Sequence, residues 1–230
     1  MDLHGDGRVG AIFDLDGTLV ASETLYFGAT DRILAPLGRS LSELTPEERS
    51  RIPGRSALEN LRFYCEKYGL SLPPEVLVRT RLDLICAMLD EGGVPLVPGA
   101  DGFLSSLRAA GMGVALASSS PRRYVDLVLA KTGLAAQFDV VRTGDDCTRF
   151  KPDPEIFLSA AAGLGLPPDR CVVVEDAHSG ILAARGAGMK VLAVASDYTL
   201  PEQAALADRL VPDLRGLGPA DVLALLDGAG

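Results

Sequence analysis

An α/β fold, a parallel sheet flanked by helices with one helical domain inserted, follows from three features of the sequence. Short apolar segments alternate with amphipathic ones along most of the chain. The apolar segments run continuously instead of alternating with polar residues, as strands covered on both faces do. One long stretch, Ser22 to Gly93, breaks the alternation: it has helical periodicity, no convincing strand, and interruptions at Pro36, Pro46, Pro53-Gly54 and Pro73-Pro74.

Four strands are predicted at Val9–Phe13, Met112–Ala117, Cys171–Val174 and Lys190–Ala195, each apolar, partly β-branched and followed at once by polar or small residues. Phe138–Thr143 is a weaker fifth and Arg209–Val211 a short sixth. Amphipathic periodicity predicts helices over Ala100–Ala110, Arg122–Thr132, Pro154–Leu164, Ser179–Ala187 and Pro219–Leu226, the last opened by a proline at its first position. The insertion begins just after the first strand and ends near Pro95–Gly99, so it is expected to sit over the carboxyl ends of the strands, the edge at which open α/β sheets bind ligands.

Composition narrows the function. A chain of 230 residues suits one α/β domain with a generous insertion. No apolar run reaches the roughly 18 residues of a membrane-spanning helix, so no membrane partner is expected. Met1 to Arg8 carries acidic and glycine residues where a signal peptide has a basic segment and an apolar one, which predicts a cytoplasmic address. Cys65, Cys86, Cys147 and Cys171 form no CxxC pair and are expected as buried free thiols. His4 and His178 are the only histidines, too few for a His-rich zinc site, and catalysis must lean on carboxylates. A net charge of −9 argues against nucleic acid as a partner, so an anionic substrate would need a local positive pocket.

Chemistry concentrates at the predicted strand ends. The first strand runs into Phe13-Asp14-Leu15-Asp16-Gly17-Thr18. Residues two apart on a strand face one side, so Asp14 and Asp16 can point together, and their repulsion is relieved by a cation or a shared proton. The segment is also compatible with an ordinary solvated turn. The second strand runs into Ser118-Ser119-Ser120-Pro121, where Ser120 is expected to cap a helix and the Ser118 hydroxyl, with free amides, suits phosphate oxygens. Lys151 is one of only four lysines and precedes Pro152-Asp153-Pro154, which predicts an extended lysine beside a helix capped by Asp153. Glu175-Asp176 ends the strand at Cys171–Val174, offering oxygen ligands to a hard cation. His178 reads as a packing or hydrogen-bonding residue at a helix start.

As an ordered set, Asp14-Leu15-Asp16-Gly17-Thr18, Ser118, Lys151-Pro152-Asp153-Pro154 and Glu175-Asp176 resemble the haloacid dehalogenase-like phosphohydrolases, in particular the subgroup of β-phosphoglucomutase and phosphoglycolate phosphatase. The likeness extends to Thr143-Gly144-Asp145-Asp146 and to Gly180-Ile181 with Ala183-Ala184, and it covers nearly the whole chain. It implies a Rossmann-like catalytic core of residues 1–20 and 95–230 with a helical cap of residues 21–94. It implies Asp14 as nucleophile and magnesium ligand, and Asp16 as general acid and base that also binds the metal through its main-chain carbonyl. Ser118 and the Ser119 amide would hold the phosphoryl group, and Lys151 would bridge nucleophile and phosphate. Asp176 would complete the magnesium site, with Glu175 as a further ligand or a partner one step removed. The implied protein is a monomer or weak dimer that hydrolyses a small phosphorylated metabolite.

The family's dehalogenases lack the second aspartate, so Asp16 favours phosphate chemistry. A phosphomutase would use the same phosphorylated Asp14, but the mutases that this sequence resembles carry a cap histidine and a cap-loop arginine where it has Tyr26 and Ala57. Arg55, with Arg49 and Arg51 around Pro53-Gly54, is the candidate for reading an anionic group of the substrate, and Tyr26 the candidate inward cap residue. A phosphonatase would need a cap lysine, which the segment from Ala21 to Glu66 lacks. A non-catalytic scaffold protein would be expected to have lost a nucleophile or metal ligand, and none is lost.

Overall fold

Every strand among the described residues belongs to one parallel sheet, in a computed structural model that describes residues 8–45, 47–48, 57–195 and 205–228. Among the described residues the first strand is β1 (Gly10–Phe13), followed by the helices α1 (Glu23–Leu34), α2 (Ala57–Tyr68) and α3 (Pro74–Gly92). It then runs α4 (Ala100–Ala109), β2 (Gly113–Ala117), α5 (Arg122–Thr132), β3 (Val140–Arg142), α6 (Glu155–Leu164) and β4 (Cys171–Glu175). It ends with α7 (His178–Gly186), β5 (Lys190–Val194), β6 (Arg209–Val211) and α8 (Pro219–Leu226).

The six strands lie in the order β3-β2-β1-β4-β5-β6. β1 is central because its residues are buried on both faces: it pairs with β2 in the register Phe13↔Leu116 and with β4 in the register Phe13↔Val174. On one face Ile12, Ala115 and Val173 pack under Phe157 and Ala161 of α6 and Ile181 and Ala184 of α7. On the other, Phe13 meets Phe103 of α4 edge-on at 5.6 Å. Full burial of such side chains contributes about 1.5–3 kcal/mol each. Strand order reverses between β1 and β4, and a crevice opens at such a switch point beyond the carboxyl ends of the strands.

The chain divides into two compact units, Met1–Ala21 with Pro95–Gly230, and Ser22–Val94. The outgoing and returning strands of the first unit are stitched together, with the Ala21 N–H donating to the Pro95 carbonyl and the Val97 N–H to that of Leu19. In the second unit Leu34, Leu41, Leu61, Tyr64 and Leu77 form their own core. Asp31 ties α1 to the following turn, accepting from the Leu41 N–H at 2.7 Å and the Ser40 hydroxyl at 3.1 Å. Pro74 opens α3 at its first position, where its missing N–H costs nothing.

Three local expectations need correction. Ser120 does not cap α5: Pro121 holds the cap position without a side-chain bond, and the Ser120 hydroxyl is drawn elsewhere by a stronger acceptor, described below. The helix after Lys151 starts at Glu155, and Asp153 caps it from two residues back by accepting the Glu155 N–H at 3.0 Å. All four cysteines are free, but only Cys86 and Cys171 are buried; Cys65 and Cys147 are half-buried. Burial pushes the Cys171 thiol up to about 12, so it stays protonated and unreactive. No helix among the described residues is long and apolar enough to cross a membrane.

Candidate active site

The parallel register carries the chemistry-bearing residues to one edge. Asp14 follows β1 directly, and its N–H donates to the Val174 carbonyl of β4. Ser118 follows β2, with its N–H on the Arg142 carbonyl of β3, and Glu175 closes β4. The loop before α6 brings in Lys151, whose Nζ lies 2.5 Å from Asp14 Oδ1 and 2.9 Å from Glu175 Oε1. These three side chains are buried, Lys151 at 5% exposure, and the Lys151 ammonium also sits 4.7 Å from the centre of the Phe157 ring.

Burial sets the electrostatics. It pushes the Asp14 carboxyl up, to about 7, against the pull of Lys151, and Glu175 and Asp16 add their repulsion. Burial also works against the Lys151 charge, but Asp14 and Glu175 outweigh it and hold the ammonium above its ordinary range. Among the described residues the centre thus has one cation, Lys151, for a cluster of carboxylates and is short of positive charge.

Glu175 is fully engaged: its Oε2 accepts the Ala177 N–H at 2.5 Å while Oε1 takes Lys151. This fold-back requires Gly180, because a Cβ there would stand 1.6 Å from Glu175 Oε1. Asp176 is placed by the β1 loop. The Thr18 hydroxyl donates to its Oδ1 at 3.1 Å, and its Oδ2 lies where a Cβ on Gly17 would come within 2.2 Å. Gly17 also has φ +81°, the left-handed region that suits glycine, so the turn and the close approach both select it.

Asp16 is held from α5 and the loop that leads into it. Its Oδ1 accepts the Tyr124 hydroxyl at 2.6 Å and its Oδ2 the Ser120 hydroxyl at 2.8 Å. Ser118 is buried, and its Oγ accepts the Ser120 N–H at 3.1 Å. Ser119 follows at the same strand end, on the segment that leads into α5. The structure therefore brings together Asp14, Lys151 and Glu175 directly, and places Asp16, Ser118, Ser119 and Asp176 on the adjoining strand ends and loops. Tyr26 lies on α1 in the helical unit, with the Arg81 guanidinium 5.6 Å from its ring centre. Arg55, Arg49 and Arg51 lie outside the described residues. His178 opens α7, and its Nδ1 is buried without a hydrogen-bond partner among the described residues. Sequence reasoning missed Tyr124, which reads as core in an amphipathic helix, and Thr18, which stood in the first motif without a role.

The donor set fits a hard divalent cation. The Asp14 and Asp176 carboxylates and the Asp16 carbonyl are all oxygen donors, beside a centre short of positive charge. Among the described residues no three His, Cys, Asp or Glu side chains are disposed to hold a metal.

The haloacid dehalogenase-like hydrolase family model matches residues 10–188. The chain belongs to this family. Hexitol phosphatase B of Escherichia coli is 31% identical over 219 residues, covering 93% of this chain and 96% of the relative. The crystal structure of a CbbY mutant from Rhodobacter sphaeroides in complex with xylulose-(1,5)-bisphosphate superposes with a TM-score of 0.80 at 28% identity, over 94% of this chain and 99% of that one. β-Phosphoglucomutase of Clostridium difficile, at 24% identity, shares the fold, with a TM-score of 0.77 over 96% of this chain and 98% of its own. The resemblance read from the motifs is thereby met, as is the expectation of a hydrolytic enzyme with relatives named as phosphatases.

Proposed function

We propose that this haloacid dehalogenase-like hydrolase cleaves small phosphomonoesters, of the sugar phosphate or phosphoglycolate type, through a phosphorylated Asp14. The observation that carries the reading is the buried Lys151 shared between Asp14 and Glu175 at 2.5 and 2.9 Å, with Asp16 two residues beyond the nucleophile. An Asp14 oxygen attacks phosphorus and the bond to the leaving oxygen breaks, while Asp16 supplies that oxygen with a proton. Asp16 then takes a proton from water as the water oxygen attacks phosphorus. The bond to Asp14 breaks, inorganic phosphate leaves, and both carboxyls return to their starting state.

Lys151 offsets charge on the nucleophile and the phosphoryl oxygens, and the Ser118 hydroxyl and Ser119 amide hold the remaining oxygens. Asp14, Asp176 and the Asp16 carbonyl would bind magnesium, and Glu175, already committed to Lys151 and Ala177, would act one step removed. Magnesium, when bound, would supply charge neutralisation for the phosphate. We read the helical unit as the family's cap, with Tyr26 and Arg55 as the candidate residues for selecting the leaving group. The two relatives described above support phosphorylated sugars as the substrate class. A cytoplasmic address and a monomeric or weakly dimeric state complete the reading.

The test is phosphate release from a panel of sugar phosphates, phosphoglycolate and nucleotides, with and without magnesium after exhaustive chelation. Magnesium-dependent release from a sugar phosphate or phosphoglycolate is expected; full activity after chelation contradicts the metal assignment. Supplying β-glucose 1-phosphate with a trace of the bisphosphate separates the mutase: isomerisation far outrunning phosphate release would overturn hydrolysis as the main activity.

A further inference from the structure

Asp16 is held in a way that the motif alone does not announce. Both of its carboxylate oxygens accept a hydroxyl, Oδ1 from Tyr124 of α5 at 2.6 Å and Oδ2 from Ser120, in the loop that leads into α5, at 2.8 Å. The Tyr124 ring is completely buried, so its hydroxyl has little freedom to follow a moving partner. The stretch that carries both donors is itself anchored. The Gly144 N–H donates to the Ser120 carbonyl at 2.9 Å, and the Arg122 N–H to Asp145 Oδ2 at 2.9 Å. A side chain that is only half-buried at a loop would otherwise sample several rotamers.

We infer that Tyr124 and Ser120 are positioning residues that fix the plane and reach of the Asp16 carboxyl for proton transfer to the leaving oxygen. The inference rests on the reading of Asp16 as the proton carrier. Two hydroxyls that bind the two oxygens define the carboxyl plane, which one hydrogen bond cannot do. Each carboxylate oxygen has a second lone pair, so Asp16 can keep the hydroxyl contact and still address the substrate. Neither hydroxyl needs to touch the substrate. The bonding hydroxyl of Tyr124 is separable from its packing, since phenylalanine fills the same space.

The experiment compares kcat/KM for p-nitrophenyl phosphate, phenyl phosphate and glucose 6-phosphate, whose leaving oxygens need a proton increasingly. This parameter reports the first phosphoryl transfer without the later hydrolysis. Asp16→Asn should steepen the dependence on leaving group most. Tyr124→Phe should slow glucose 6-phosphate about tenfold and Ser120→Ala about threefold, each with p-nitrophenyl phosphate changed less than about twofold. Adding Tyr124→Phe to Asp16→Asn should bring no further loss. An equal slowing of all three substrates by Tyr124→Phe, or no slowing at all, overturns the inference while leaving Asp16 in place. If Asp16→Asn itself leaves the leaving-group dependence unchanged, the role of Asp16 falls and the inference with it.

Discussion

The two units bury charge in opposite ways. In the sheet unit Lys151 is enclosed with two carboxylates at hydrogen-bonding distance, and the whole group is braced by backbone at the ends of β1 and β4. In the helical unit Arg81 is as deeply enclosed, at 8% exposure, but faces the Tyr26 ring, and among the described residues no carboxylate forms an ion pair with it. Burial accordingly pulls the Arg81 guanidinium down, with Tyr26 and Tyr64 opposing, whereas Lys151 is held up by its partners. Interdependent charges punish the loss of any one member; a solitary buried cation does not.

The largest expected effect lies in the sheet unit. Asp14→Asn should lower turnover on the order of 10⁴-fold or more, the scale seen when a nucleophile is removed, with circular dichroism unchanged. A substantial residual rate would take Asp14 out of its role. Lys151→Met should come next, since it leaves Asp14 and Glu175 buried without their cation, at a cost of about 3–5 kcal/mol. Thermal unfolding should drop by roughly 10 °C at neutral pH. That deficit should shrink as the pH falls, because the Asp14 carboxyl, raised in the folded state, binds its proton more readily there than in the unfolded chain, and its protonation relieves the repulsion. A deficit that stayed constant with pH would deny the coupling.

The legibility of these two regions in the sequence also differs. β1, β2 and β4 were visible as apolar, β-branched runs because central parallel strands are buried on both faces and tolerate little else. Asp14, Lys151 and Glu175 were legible because strand ends and a proline-bracketed lysine are fixed by local chain chemistry, although Lys151 lies 137 residues from Asp14. The Ser120 and Tyr124 contacts were not. A serine before a proline looks like a helix cap, and a tyrosine on an apolar helical face looks like core; only the approach of the loop after β1 to Ser120 and α5, over separations of 104 and 108 residues, turns both hydroxyls to Asp16. The weak third strand was expected from 138 to 143 but spans only Val140–Arg142, as expected of an edge segment whose residues are just half-buried.

Metal binding sharpens the comparison at an intermediate magnitude. With Asp14 held up at about 7 by burial, magnesium must displace a proton below that pH, so its affinity should fall about tenfold per unit as the pH drops from 7 to 5. Above about pH 8 it should level off. Calorimetric titration of the protein with magnesium at several pH values checks this, and a flat profile would contradict the charge-poor centre. Arg81→Met gives the smallest expected effect, a stability change within about 1 kcal/mol, since loss of the cation over Tyr26 is offset by relief of an unpaired buried charge. Chemical denaturation reads it directly; a loss as large as that of Lys151→Met would erase the contrast between the units.

The central claim is that the phosphoryl group passes through Asp14. Rapid acid quenching during turnover of a phosphate-labelled phosphomonoester, followed by peptide mapping, tests it most directly. The account predicts a hydroxylamine-labile phosphate on the peptide containing Asp14, appearing before free phosphate and absent from Asp14→Asn. Phosphate release at the full rate with no label on that peptide would contradict it.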